Sequence, residues 1–164
     1  MNGKKKSLYI ETTIPSYATA KDSRDVLKLG KQIVTRAFWK DERHKFDLCT
    51  SEVVLDECGC GDPDAVRRRL EFLAGIKELP ITDEVNTLAE IYQKLLGIPD
   101  RAKVDCVHLA VCVTYHVDIL LTWNCAHLGW MVQNQAVKYN EKYGFWTPAL
   151  ATPDNIFAEV REQS

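Results

Sequence analysis

The sequence predicts an α/β fold with a mainly parallel central sheet, and two observations carry that reading. Strand and helix signals alternate along the whole chain, the pattern of strands joined by helical crossovers. The runs Leu8-Tyr9-Ile10 and Leu120-Leu121 also read as buried strands, apolar and breaking off at a polar residue followed by turn or helix signals. In open α/β sheets, ligands bind in the crevice beyond the carboxyl ends of the strands.

The first strand spans Ser7 to Glu11, and Thr12-Thr13-Ile14-Pro15-Ser16-Tyr17 reads as a turn. From Arg24 to Lys40, Val26, Leu29, Ile33 and Ala37 recur at helical spacing. Phe46 to Thr50 is a second strand. Thr50 or Ser51 can then cap a helix holding Glu52 to Glu57, which Gly59 and Gly61 end. Asp62-Pro63 starts another helix, with an acid at the cap and proline in the first turn, running through Val66, Leu70 and Leu73. Ile76 to Ile81 is a third strand, and Pro80 argues for the sheet edge. Thr82-Asp83-Glu84 opens a helix with apolar positions Val85, Leu88, Tyr92 and Leu95, closed by Gly97 and Pro99. Val104 to Tyr115 is apolar nearly all round and is expected to be buried. Asp118 to Thr122 is the next strand. Residues 127–143 read as helical, Ala149-Leu150-Ala151 as briefly extended, and Thr152-Pro153 as the start of a last helix. No repeat or linker divides the chain, so one domain over residues 1–164 is expected.

Composition narrows the function classes. The 164 residues are 46% hydrophobic and 27% charged, enough for an unaided core. A net charge of −2 gives no general signal for nucleic acid, although a local basic patch or a bound cation can supply the attraction. Lys4-Lys5-Lys6 precedes an apolar run far too short for a secretory signal, and no stretch is long enough for a membrane span. Six cysteines, several of them in apolar segments, read as reduced and mostly buried thiols in a cytoplasmic protein.

Four carboxylate or amide groups sit at the ends of apolar runs: Glu11, Glu57, Asp105 and Asn124. In the helix holding Glu57, residues four apart share a face. A core-facing Val53 therefore carries Glu57 inward and leaves Glu52 and Asp56 nearer solvent. Asp105 lies among Val104, Val107, Leu109, Ala110 and Val111. A carboxylate there is costly unless a helix N-terminus or a cation compensates it, and the plainer reading is a helix cap. Clustered acidic oxygens at strand ends suit a hard cation such as Mg²⁺ or Mn²⁺.

These elements, in this order, resemble the PIN domain, a family of metal-dependent nucleases whose many small bacterial members are VapC-like toxins. The resemblance rests on an acid ending the first strand (Tyr9-Ile10-Glu11-Thr12-Thr13), on Ser51 followed six positions later by Glu57, and on Asp105 opening a buried helix (Asp105-Cys106-Val107-His108-Leu109-Ala110). It rests also on a strand ending in Thr122-Trp123-Asn124, with His127-Leu128 beyond. The motifs span residues 7 to about 130, and helices over 131–164 would complete the domain. The resemblance implies a three-layer α/β/α fold and an endoribonuclease, the toxin of a type II toxin–antitoxin pair. Glu11 and Asp105 would be the principal ligands of Mg²⁺ or Mn²⁺, with Glu57 and Asn124 completing the shell. A small antitoxin partner, an RNA substrate and a homodimer are implied with it.

Two departures stand out. The family usually places Asp where this chain has Glu11, and Asn124 keeps an oxygen but no charge. A catalytically degraded PIN-like scaffold and a housekeeping nuclease are therefore the alternatives. Thr12, Thr13 and Thr122 are candidates to orient carboxylates or contact phosphate, although threonines beside strands are common. Arg101 and Lys103 are candidates to bind phosphate, and Arg67-Arg68-Arg69 reads as a solvated helix face. Cys58-Gly59-Cys60 lacks the second tight pair a structural zinc site needs. His108 reads as a satisfied buried group more readily than as part of the cleft, and Trp123 as packing more readily than as a base-stacking surface.

Overall fold

The computed structural model describes residues 4–129 and 135–156. Five strands form one sheet: β1 (Ser7–Ile10), β2 (Asp47–Ser51), β3 (Lys77–Leu79), β4 (Ile119–Leu121) and β5 (Ala149–Ala151). Their order is β3-β2-β1-β4-β5, and every pairing between them is parallel. β1 is the middle strand, which is why Leu8, Tyr9 and Ile10 are apolar without alternation and fully buried. β3 lies at an edge, as Pro80 requires.

Seven helices connect the strands: α1 (Thr13–Thr19), α2 (Val26–Asp41), α3 (Glu52–Cys58), α4 (Pro63–Leu73), α5 (Asp83–Leu96), α6 (Lys103–Thr114) and α7 (Val137–Tyr143). α1 packs with α2 and α4, while α5 packs along α6. The sheet lies between helical layers, the α/β/α arrangement that the sequence predicts. Successive crossovers run from β1 outward to β2 and β3, and the chain then returns to the other side of β1 to lay down β4 and β5. The direction of winding thus reverses between β1 and β4, and the crevice at their carboxyl ends is the topological switch point where such folds bind ligands.

Several local expectations hold for the stated physical reasons. Asp62 caps α4 by accepting from the Ala65 N–H, and Pro63 occupies the first turn. Thr82 caps α5 through the Val85 N–H, and Gly97 ends it with φ of 61°, a left-handed conformation. All six cysteines are free thiols, and burial pushes Cys49 up to about 12 and Cys58 and Cys106 to about 11.

Others need correction. Thr13 to Thr19 is a helix rather than a turn, with Pro15 in its first turn where no N–H is missed. Ser51 precedes α3 but its side chain makes no cap bond. In α2 the apolar positions Val26 and Ile33 face outward, at 81% and 56% exposed, and the buried face carries Gln32, Thr35 and Phe38. Polar anchors decide that orientation. Gln32 receives the Ser23 N–H and donates to Lys21 O, and Arg36 donates to the carbonyls of Ala18 and Ala20. The expected helix over 127–143 resolves into a π-type turn at Cys125–Gly129 and then α7. Residues 130–134 of that span, and the last helix beyond residue 156, lie outside the described residues.

Two polar clips fix the strands on the β4 side. Asn140 of α7 is fully buried; its Oδ1 accepts from the Tyr92 hydroxyl at 2.5 Å. Its Nδ2 donates to Trp146 O at 3.3 Å and to Thr147 Oγ1 at 3.1 Å, just before β5. At the start of the sheet, Asp118 Oδ2 accepts from the backbone N–H and the hydroxyl of Ser7, each at 2.8 Å, tying β4 to β1. The Ser7 backbone bond, followed by the Ser7 hydroxyl, holds the Asp118 carboxyl below its usual range. Its contribution is therefore complete above about pH 4 and is lost as pH falls through the lowered folded value. Asp118→Asn should lower the melting temperature at pH 7 by about 2–4 °C, the size of one hydrogen bond of about 1 kcal/mol. The difference from wild type should shrink below pH 4 in a thermal melt series, and a difference that persists at pH 2 would refute the charge-assisted clip.

Candidate active site

The switch-point crevice gathers the four predicted residues. Glu11 directly follows β1, and its N–H still reaches Leu121 O of β4 at 3.2 Å. Its side chain is only 4% exposed, so the carboxylate must find donors within the protein. Oε2 receives the Thr13 N–H at 3.0 Å, the Thr13 hydroxyl, and the Thr122 hydroxyl at 2.7 Å. Each hydroxyl is in turn fed from the end of β4. The Trp123 N–H donates to Thr13 Oγ1 at 2.9 Å, and the Asn124 N–H to Thr122 Oγ1 at 2.8 Å. Both hydroxyl hydrogens are spent on Glu11, so the 3.5 Å between the two Oγ1 atoms is contact alone. Oε1 of Glu11 accepts no hydrogen bond, and no lysine or arginine pairs with this carboxylate, among the described residues.

Asp105 lies in the first turn of α6 and is 8% exposed. The helix begins at Lys103 after Ala102, so Asp105 sits inside the first turn rather than at the cap. Its Oδ1 accepts from Asn124 Nδ2 at 3.0 Å. The amide at the end of β4 thus spends its donor on Asp105 and leaves its own oxygen available. Through Thr122 and Asn124, Glu11 and Asp105 belong to one hydrogen-bonded unit.

Glu57 is half-buried while Glu52 and Asp56 are exposed, as the helical spacing predicts. Its Oε2 accepts from the Thr12 hydroxyl and from His108 Nε2 at 3.1 Å. A carboxylate can only accept, so Nε2 carries the proton. Burial works to raise the Glu57 carboxyl. The hydrogen bond and charge of His108 and the Thr12 hydroxyl outweigh it and hold the group below its ordinary range. Behind His108, Nδ1 meets the Tyr9 hydroxyl at 2.8 Å, and that hydroxyl meets Ser51 Oγ at 2.7 Å. Ser51, Tyr9 and His108 are all fully buried. The result is a continuous chain from the end of β2, through β1 and α6, to Glu57.

Sequence reasoning underrated two parts of this arrangement. His108 is a satisfied buried group, but what satisfies it on one side is Glu57. The three threonines are not incidental, because each hydroxyl touches a carboxylate. The i, i+3 spacing of Asp105 and His108 on α6 signals a shared face. The Tyr9 side chain could not be linked to either from sequence. Arg101 is exposed and Lys103 half-buried at the approach to α6. The arginine run is not a plain solvated face. Arg67 pairs with Asp64 and Glu71, Arg68 donates to Thr19 O, and Arg69 donates to the carbonyls of Cys58 and Cys60. Cys125 is exposed, and partial burial pushes its thiol up, which opposes a thiolate nucleophile. The side chain of His127 lies outside the described residues.

No three of the histidine, cysteine, aspartate and glutamate side chains converge as a metal cage among the described residues. That agrees with the absence of a zinc-type site. Mg²⁺ demands less of the protein, since it keeps several waters and is held through one or two carboxylates. The buried carboxylates of Glu11 and Asp105 fit such an ion, Glu11 with one oxygen that no protein donor occupies.

No family model and no curated protein matches this sequence. Solved structures do match its backbone. The structure of VapBC2 from Rickettsia felis bound to a DNA fragment from its promoter aligns with 89% of this chain and 98% of that one. The TM-score is 0.52 and the identity 13%. VapC20 from Mycobacterium tuberculosis, a toxin that cleaves the sarcin–ricin loop, aligns with 69% of this chain and 86% of its own. Its TM-score is 0.48, with 18% identity. The fold of this chain is PIN-like.

Tyr9→Phe tests the buried chain behind Glu57. It leaves Ser51 Oγ and His108 Nδ1 without their shared partner and should cost about 1–3 kcal/mol in urea unfolding. An unchanged midpoint would mean that the Tyr9 hydroxyl supports nothing.

Proposed function

We propose that this chain is a Mg²⁺- or Mn²⁺-dependent endoribonuclease, and the toxin of a type II toxin–antitoxin pair. The observation that carries the reading is the Glu11–Thr122–Asn124–Asp105 unit at the switch point of a PIN-like sheet. It joins two nearly buried carboxylates through hydroxyl and amide donors, and Glu11 has no basic partner among the described residues. A carboxylate turned to a lysine or arginine would instead have favoured a scaffold. The VapBC2 and VapC20 structures support the reading at the level of fold, and VapBC2 suggests a small antitoxin as partner. A homodimer and a cytoplasmic setting complete the proposal, and no helix among the described residues is long and apolar enough to cross a membrane.

Glu11 and Asp105 would hold the ion, whose chemistry when bound is to acidify a water and neutralise phosphate charge. The remaining work falls to the chain. Thr13 and Thr122 fix Glu11 Oε2 and so turn Oε1 outward from their side of the crevice. The Asn124 amide holds Asp105 and presents its oxygen as a neutral acceptor. Glu57, anionic at neutral pH because His108 and Thr12 favour its charged form, accepts a hydrogen bond from the attacking water and orients it. Hydrolysis then forms one P–O bond to that water and breaks another to the leaving ribose oxygen, which takes up a proton.

Purified protein should cleave RNA with Mg²⁺ or Mn²⁺ and stop with EDTA. Asp105→Asn and Glu11→Gln should each lower the rate at least about 100-fold, the upper range for losing a group that supports a metal. Gel-resolved cleavage of varied RNAs is the assay. A folded protein that neither cuts RNA nor binds Mn²⁺ in calorimetry would replace this reading with the scaffold.

A further inference from the structure

The end of β4 carries a second feature that the acidic unit does not use. Trp123 stands between Thr122 and Asn124, and its indole is locked in place rather than loosely packed. Nε1 donates to Thr35 Oγ1 of α2 at 2.8 Å, and the backbone N–H is held by Thr13. The Tyr17 ring of α1 tilts against the indole, with centroids 6.1 Å apart and planes at 55°. One turn before Thr35, Lys31 sets its Nζ 5.3 Å from the indole centroid and 5.8 Å from the Tyr17 centroid. Lys31 makes no ion pair with a carboxylate among the described residues, and all three side chains are half-buried.

We propose that Trp123, Tyr17 and Lys31 form a nucleotide subsite, taking one unstacked base and its phosphate beside the scissile bond of a single-stranded RNA. This rests on the endoribonuclease reading and names how that site selects its substrate. A polyanion crossing a cleft of three carboxylates needs a cation on its flank. Lys31 supplies one that is held only by ring faces, so a phosphate can recruit it with no ion pair to break. Aromatic faces bind any base by stacking, which requires the base to be out of a duplex. The subsite therefore selects for single-strandedness more than for base identity. The hydrogen bonds at both ends of Trp123 hold the stacking surface at a fixed offset from Glu11, because Thr13 bonds both residues.

Fluorescence anisotropy tests this with a labelled single-stranded RNA of about ten nucleotides, a typical footprint for such grooves. An abasic version of the same strand serves as the second probe. Protein carrying Asp105→Asn is used in EDTA so that no cleavage intervenes. Trp123→Leu should weaken intact RNA by about tenfold, the scale of one base–aromatic stack, and leave the abasic strand unchanged. Lys31→Gln should weaken both probes alike and reduce the slope of log K against log salt by about 0.7, one phosphate contact on a single strand. Tyr17→Leu replaces Trp123→Leu should circular dichroism find the latter unfolded. Wild-type protein that cuts RNA while affinity ignores both substitutions overturns the subsite and keeps the nuclease. Binding that depends on Lys31 and Trp123 without cleavage under any metal keeps the subsite and removes the nuclease. Folded protein that binds neither probe, or one that holds a protein partner through this surface and no RNA, overturns the subsite.

Discussion

A buried carboxylate at the middle of a parallel sheet constrains nearly everything around it. Glu11 cannot be hydrated as it would be at a surface, so it must draw its hydrogen bonds from the chain. Two parallel arms provide them, each running from a backbone N–H past the end of β4, through a threonine hydroxyl, to the same carboxylate oxygen. The arms work only if β1 and β4 are neighbours in register, which the Tyr9–Leu120 and Ile10–Leu121 pairings provide. They also require α1 to start at once, because the Thr13 N–H and hydroxyl both face Glu11. Strand order, register and the first helix boundary are thus tied to one charged group.

The same constraint separates what the sequence could disclose from what it could not. β1, β2 and β4 were legible because a central parallel strand must be apolar on both faces, and no other short element needs that. Glu11, Glu57, Asp105 and Asn124 were legible as polar residues ending apolar runs. α1 was not, since Thr-Thr-Ile-Pro-Ser has turn chemistry and the helix depends on contacts with Glu11 and Ile14 that are tertiary. The exposed face of α2 was misread for a related reason. Its orientation follows from Gln32, Thr35 and Arg36 reaching carbonyls and an indole, and apolar spacing carries no trace of such bonds. Ser51 had the chemistry of a cap, but a buried tyrosine hydroxyl competed for it and won.

Charge economy links the site to the rest of the molecule. The chain is slightly acidic overall, its cleft more so, and its arginines are largely committed to holding α4 against α1 and the end of α3. Attraction for a polyanion therefore cannot come from a basic surface in general. It must come from what is placed at the crevice itself, a divalent ion and a few uncommitted cations. Such a molecule discriminates by local geometry and gains little from long-range steering.

Asn140 gives the far edge of the sheet a different kind of dependence. β5 is three residues long and pairs with one neighbour only, yet its approach is fastened through an amide on α7 to a tyrosine on α5. The edge strand is thereby made hostage to the docking of two helices. Opening that amide clasp would release α7, the Trp146 turn and β5 together, while β1, β2 and β4 kept their core. The sheet thus divides into a resilient centre and a peripheral leaf that unfolds as one piece.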